Sequence, residues 1–286
     1  MSDARTRPAH ALFETATADA AEQLAAAELT DARVHAARKA LKKARASLRL
    51  LRPALADADY RELNLALRDA GRCLAPLRDA KALADTAVAF GAHEQAGDHQ
   101  AELARLAPLL EAGLAEARRG VEGPAARERC AGLVAACRER LAASGAHESE
   151  GTSIEALRRL YRKGRRAFAQ AREARTADAL HEWRKQVKYL HTAATALRDT
   201  GLHRLHKLAE HTDRIAEALG EDHDLCRLCA LAARDTVVHD GARSALVERI
   251  ERRREKLVHK ALSEGERLFA QKPKHFAAQL GPKRDA

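Results

Sequence analysis

Aromatic residues are scarce in this chain: Phe, Trp and Tyr together make up 3% of 286 residues. Glycine and proline are also sparse, 15 and 7 residues, about 8% against a usual figure of roughly 12%. Val, Ile, Tyr and Phe, the residues that favour strands, are few, while Ala, Leu, Arg and Glu, which favour helices, dominate. These shortages exclude an all-β protein and argue against a Rossmann-type enzyme; the expected fold class is all-α. No apolar run approaches the roughly 20 residues of a membrane span. Residues 1–10 are polar and lack the apolar core of a signal peptide. Five cysteines, an odd number, do not make a disulfide framework. The expectation is a cytoplasmic protein, with no membrane partner.

What the chain does have is charge: 32% of residues are charged, with a formal net charge of +10. Beside a hydrophobic fraction of 46%, that composition excludes wholesale disorder. The excess is uneven. Residues 1–150 hold 22 Lys/Arg and 22 Asp/Glu, so residues 151–286 carry all of it. Even in the neutral half the charges segregate, with eight Lys/Arg and no acid from Arg33 to Arg52. Local fields of this kind attract polyanions.

Periodicity predicts helices near 9–28, 31–52, 57–91, 96–119, 124–143, 152–174, 177–199, 202–236 and 240–269. Thr30 and Asp31 suit a helix start, and Pro53 a stop. One linker stands out, residues 144–152, dividing the chain into 1–143 and 153–286. Its midpoint position prompts a search for a repeat. Val34-His35-Ala36-Ala37-Arg38-Lys39-Ala40-Leu41-Lys42 matches Leu180-His181-Glu182-Trp183-Arg184-Lys185-Gln186-Val187-Lys188, each reading apolar-His-x-x-Arg-Lys-x-apolar-Lys. Downstream, Leu74-Ala75-Pro76-Leu77-Arg78-Asp79 aligns with Leu219-Gly220-Glu221-Asp222-His223-Asp224. Two matches in the same order point to duplicated helical halves.

At 3.6 residues per turn, His35, Arg38, Lys42, Arg45, Arg49 and Arg52 share one helix face of about 25 Å. The second copy has His181, Arg184, Lys188, His191, Thr195 and Arg198 in the same phase. Solvated faces normally alternate sign and gain i,i+4 pairs; a like-signed row stabilises nothing by itself and fits a long anion. The bland alternative is a solvated face, with His35 and His181 as core histidines. A further basic segment, Arg158, Arg159, Arg162, Lys163, Arg165 and Arg166, has no acid from 156 to 172. It makes the second half the expected stronger contributor, and Gly164 within it would admit another backbone closely. Asp79 and Asp224 read as partners that orient the stripe.

At these residues the chain resembles the CHAD family, the conserved histidine α-helical domain. The two His-x-x-Arg-Lys copies carry the likeness, with Tyr161-Arg162-Lys163-Gly164-Arg165-Arg166, Leu219-Gly220-Glu221-Asp222-His223-Asp224-Leu225 and Gly265-Glu266-Arg267-Leu268-Phe269-Ala270, over about residues 9–280. The resemblance implies two pseudo-symmetric four-helix bundles with a basic central surface or pore that binds inorganic polyphosphate, and association with polyphosphate granules. The ligands it implies are His35, Arg38, Lys39, Lys42, Arg45 and Arg49, then Arg162, Arg165, Arg166, His181, Arg184, Lys185 and Lys188. His191 and Thr195 depart from the pattern, standing where the first copy has Arg45 and Arg49. The alternating Glu-x-Glu-x-Lys signature of the hydrolase-like domain that accompanies many relatives is absent, so no catalytic role, cofactor or metal is implied.

Other chemistries are weaker. His223, Cys226 and Cys229 fall at i, i+3 and i+6, where the outer pair is turned by about 120° on a helix and converges poorly on a zinc ion. Cys130 and Cys137 read as small core residues. Trp183, Tyr161 and Tyr189 are too few for a base-stacking platform, which leaves weak nonspecific nucleic-acid binding as the alternative function.

Overall fold

The computed structural model describes residues 7–93, 98–122, 124–198, 200, 202, 204–234 and 240–281. Among these, eleven α-helices and no strand are found, the all-α class expected from the shortage of β-formers. In chain order they are α1 Pro8–Ala25, α2 Asp31–Leu51, α3 Asp57–Cys73, α4 Ala75–His93, α5 Asp98–Glu122, α6 Pro124–Ala143, α7 Glu150–Ala174, α8 Ala177–Leu197, α9 Leu205–Arg234, α10 Asp240–Leu268 and α11 Pro273–Ala278. The segment expected as one helix over 57–91 is two, broken at Leu74. Ala75-Pro76 follows at once, and a proline is tolerated only in the first turn of the next helix.

Helices α2 and α8 are built alike. Each has 21 residues, and each starts behind a threonine whose side chain accepts from a backbone N–H three residues on: Thr30 from Arg33 and Thr176 from Ala179. Such a cap satisfies one of the orphan donors of the first turn. The connection after α6 is shorter than 144–152, because Ser149 and Thr152 form a capping box that starts α7 at Glu150. It is also anchored. The Glu148 carboxylate is buried and accepts from the backbone N–H groups of Ala9 (3.0 Å) and His10 (3.1 Å) at the start of α1, where the helix dipole favours negative charge.

Packing is pairwise between sequence neighbours, α1 with α2, α4 with α5, α7 with α8, and α8 and α10 each with α9; α3 packs against α6. The α2 helix also meets α7 and α8, which brings its basic stripe to the second copy of the repeat. Alanine and leucine fill the contacts around α2 (Val34, Ala37, Leu41, Ala44, Leu48 and Leu51). Around α7, α8 and α10 the few aromatics gather instead: Phe168 against Trp183 (5.1 Å between ring centroids) and Tyr161 stacked on Phe276 (4.0 Å). Glycine makes that cluster possible. A Cβ on Gly265 would lie 2.6 Å from Phe168 and 2.7 Å from Trp183, and one on Gly164 would lie 2.9 Å from Phe269. The close neighbour of Gly164 is therefore a ring and not the backbone expected, since α10 ends there with its Phe269 side chain turned inward. Cys130 and Cys137 are buried in the α3–α6 contact, with burial pushing their thiols up to about 12 and about 11. Among the described residues no helix is long and apolar enough to cross a membrane.

Candidate functional site, a basic furrow between α2 and α8

The stripe side chains of α2 face those of α8, and Arg78 of α4 sits between them. Arg78 acts electrostatically on His35, Arg38 and Lys42 on one side and on Arg184 and Lys188 on the other. Burial, then Lys188 and further cations, holds the Lys42 ammonium down to about 8. Burial, then Arg184, does the same to Lys188. Water still reaches Lys42, which is an exposed residue. The basic row between the two helices is therefore open to solvent, and a cleft lined by His35, Leu77, Arg78 and Lys81 opens at its His35 end. His35 and His181 are likewise lowered, burial first and neighbouring cations next, which keeps both rings neutral at pH 7.

Acids are few here and placed to orient. Asp79 lies 3.7 Å from Arg38, whose guanidinium also donates to the Gly71 carbonyl (3.0 Å). Asp224 stands near Arg184 and Lys188. Arg227 of α9 donates to the Asp79 carbonyl (3.1 Å), tying α9 to α4 across the furrow end. Gly220 leaves room for the Arg184 guanidinium, with Nη2 only 3.4 Å from where a Cβ would stand. The furrow also holds a set of unsatisfied groups: Nε of Arg38, Arg45 and Arg184 and Nδ1 of His181 are buried without a hydrogen-bond partner. Buried polar groups are nearly always paired, and these atoms on two facing helices are exceptions, as is Nε1 of the buried Trp183.

At the far end, Arg49 lies over the Tyr189 ring, 3.6 Å from its centroid, a cation–π contact across α2 and α8. Lys163 of α7 joins it there, lowered by burial and then by Arg49, Arg159, Arg162 and Arg52. Arg52 itself turns aside, pairing with Asp57 and covering the Tyr60 ring.

The residues singled out in the sequence therefore divide. His35, Arg38, Lys42, Arg49, His181, Arg184 and Lys188 come together along the furrow, whereas Arg45 reaches back to Asn64 of α3 (3.4 Å), Lys39 stands beside His35, and Lys185 pairs with Glu182. Arg162, Arg165 and Arg166 line a different cleft, bounded by α7 and the end of α10. His191 is held within the α8–α9 contact by the Ala209 carbonyl (3.1 Å) and Thr212, and Thr195 is exposed. Arg78 and Lys163 are the cations that the stripe spacing misses. The alignment of Arg78 with His223 is the available signal, because both occupy the same place: His223 packs on His181 with ring centroids 4.4 Å apart, as Arg78 neighbours His35. Among the described residues no group of three or more His, Cys, Asp or Glu converges as a metal ion would require; Cys229 instead lies 3.3 Å from Glu251.

A family model for the CHAD domain matches residues 10–233. The chain belongs to the CHAD domain family. That match spans both copies of the repeat and all of the furrow residues. The CHAD domain is associated with polyphosphate binding in general, and it is generally a binding domain and not a catalytic one. No curated protein matches the chain.

Proposed function

We propose that this CHAD domain binds inorganic polyphosphate along the α2–α8 furrow, as a binding protein without a hydrolytic step. The two sequence copies form two pseudo-symmetric halves, 1–143 and 153–286, each lending one wall. The chain would run past His35, Arg38, Lys42, Arg45 and Arg49 on one side and His181, Arg184 and Lys188 on the other, with Arg78 between. The observation that carries this reading is the packing of α2 against α8 and α4, which sets two rows of cations against each other with Arg49 3.6 Å from the Tyr189 ring centroid; burial and neighbouring cations lower Lys42 and Lys188 to about 8 there. A fold that holds cations together against their own repulsion gains stability when an anion arrives. Guanidinium forks and ammonium groups bond phosphate oxygens strongly, and a furrow of about 25 Å along α2 suits a long repeating anion.

Single-stranded RNA is the competing polyanion. It would need exposed rings for its bases, whereas Trp183 and Tyr161 are buried and Tyr189 is covered by Arg49. Granule association follows from the same affinity, because a granule presents the same chain at high density. Titration with long-chain polyphosphate at several salt concentrations, beside RNA of matched charge, tests the reading. The expected result is tight binding, a steep loss with salt and easy displacement of RNA by polyphosphate. Equal affinity for the two would replace it with a general polyanion surface, and no binding would return the stripe to solvent.

A further inference from the structure

Where α7 turns toward the end of α10, the structure holds a second basic cavity. It is a cleft of about 510 Å³ between α7 and the segment that joins α10 to α11. Arg162, Arg165, Arg166 and Arg172 form one wall, four cations spaced over about 15 Å of a single helix. Two are fixed in position: Arg165 donates through Nε to the Phe269 carbonyl (3.1 Å), and the Arg172 guanidinium lies 5.6 Å from the Phe168 ring centroid. The floor is carbon, supplied by Ala169, Ala270 and Pro273 with the edges of Phe168 and Phe269 beneath. One acid, Glu266, shares the lining and is exposed.

This mixture differs from the furrow in kind. Arginine alone, without lysine or histidine, offers rigid forks that grip phosphate in pairs and also stack on flat groups. A bare phosphate chain gains nothing from a carbon floor and is repelled by Glu266. A phosphate ester on an organic frame gains from both, because its apolar ring covers the floor and its hydroxyl or amino hydrogens can donate to the Glu266 carboxylate. The volume falls in the usual range for small-molecule sites.

We propose that the α7–α10 cleft is a separate site for a nucleoside triphosphate, its phosphates on Arg162, Arg165, Arg166 and Arg172 and its nucleoside on the Ala169–Ala270–Pro273 floor beside Glu266. The proposal stands whether or not the furrow binds polyphosphate.

The test compares ATP with inorganic tripolyphosphate, matched in phosphate number but lacking the organic frame, by calorimetric titration without divalent metal. The expected result is ATP binding about tenfold tighter than tripolyphosphate, equal to about 1.4 kcal/mol. Arg166→Gln with Arg172→Gln should weaken ATP about tenfold or more and leave long-chain polyphosphate within about twofold, since both side chains lie outside the furrow. Lys42→Gln with Lys188→Gln should do the reverse. Glu266→Gln, a surface change that spares packing, should tighten tripolyphosphate and narrow its gap from ATP. The proposal is overturned by tripolyphosphate binding as tightly as ATP, by no ATP binding, or by ATP affinity that follows Lys42 and Lys188 instead of Arg166 and Arg172. Unchanged helicity by circular dichroism establishes that the variants are folded.

Discussion

The two walls of the furrow share a length, a capping threonine and a His-x-x-Arg-Lys core, yet they hold their charge differently. On α2, His35 has the permanent cation Arg78 as its neighbour, and the stripe continues through Arg45 and Arg49. On α8, His181 has His223, which burial and then His181 and Arg184 push down to about 4, and the stripe gives way to His191 and Thr195. One wall is a fixed field; on the other, beyond Arg184 and Lys188, the paired rings of His181 and His223 are both held toward the neutral form. Half of the second half's basic surplus lies on α7, where residues 151–174 hold seven Lys/Arg against two acids, and much of it is turned to the arginine cleft. The α2 wall, from the half with no net charge, is therefore expected to supply the stronger field along the furrow, against the expectation from the basic surplus of the second half. Distribution decides this, and net charge does not.

The largest effect that can break this comparison comes from reversing charge on one wall at a time. Arg38→Glu with Lys42→Glu on α2 should lower polyphosphate affinity about a hundredfold or more, about 2.7 kcal/mol. Arg184→Glu with Lys188→Glu on α8 should cost about tenfold less than that. Binding titrations at fixed salt give the ratio, and equal losses on the two sides would show that the walls contribute evenly.

Next in size is a packing difference. The α2 side is filled by Ala and Leu, while α7, α8 and α10 lock together through Phe168, Trp183 and Phe269 around Gly265. Gly265→Ala pushes a methyl into Phe168 and Trp183, and Trp183 has no exposed surface through which to yield. The change should destabilise the protein by about 1–3 kcal/mol, measured by urea unfolding. Gly71→Ala near the α2 wall meets nothing within 4 Å and should leave stability unchanged or raise it slightly.

Exchanging the neighbours of the two histidines sharpens the comparison directly. His223→Arg gives the α8 wall a permanent charge and should tighten polyphosphate several-fold at pH 7. Arg78→His should weaken it about tenfold. With His223 in place, affinity should rise as pH falls from 7 to 5, because a bound polyanion draws the imidazole toward its charged form; in the His223→Arg variant that rise should flatten. A titration series across this range checks both.

How much of this is legible in the sequence depends on how far apart in the chain the partners lie. Helix limits agree within a few residues for α2, α6, α8 and α10, because caps and periodicity are local signals. The furrow walls are visible for the same reason, the 3–4 spacing of His35 to Arg49 being a property of one helix. Arg78 is not, although it belongs to the repeat: only the packing of α4 against both α2 and α9 brings it between Lys42 and Lys188. The family likeness groups Arg165 with the furrow, but successive helix residues turn by about 100° and Arg165 comes two residues after Lys163. Lys163 and Arg165 thus reach opposite sides of α7. The break at Leu74 is hidden because Ala75-Pro76 is compatible with a first turn, and the apolar period runs on through it.

The smallest effect is the most specific to the furrow. Lys42 and Lys188 lose their protons near pH 8 in the free protein, whereas an unfolded chain holds them to about 10.4. Between those values the unfolded state binds more protons, so this pair makes stability rise with pH. Polyphosphate acts in the opposite direction, since phosphate oxygens favour the ammonium form and affinity must fall over the same interval. Binding at pH 8 should accordingly take up about one proton, half from each lysine. Calorimetry in two buffers of different ionisation enthalpy counts it, and Lys42→Met with Lys188→Met should remove it. The walls differ even here, because Asp224 and Asp213 support the charge on Lys188, while only cations act on Lys42 beyond its burial. Asp224→Asn should therefore move the Lys188 share of the uptake to lower pH and leave the Lys42 share in place. A uniform shift of the whole uptake would mean that the two lysines titrate as one coupled pair.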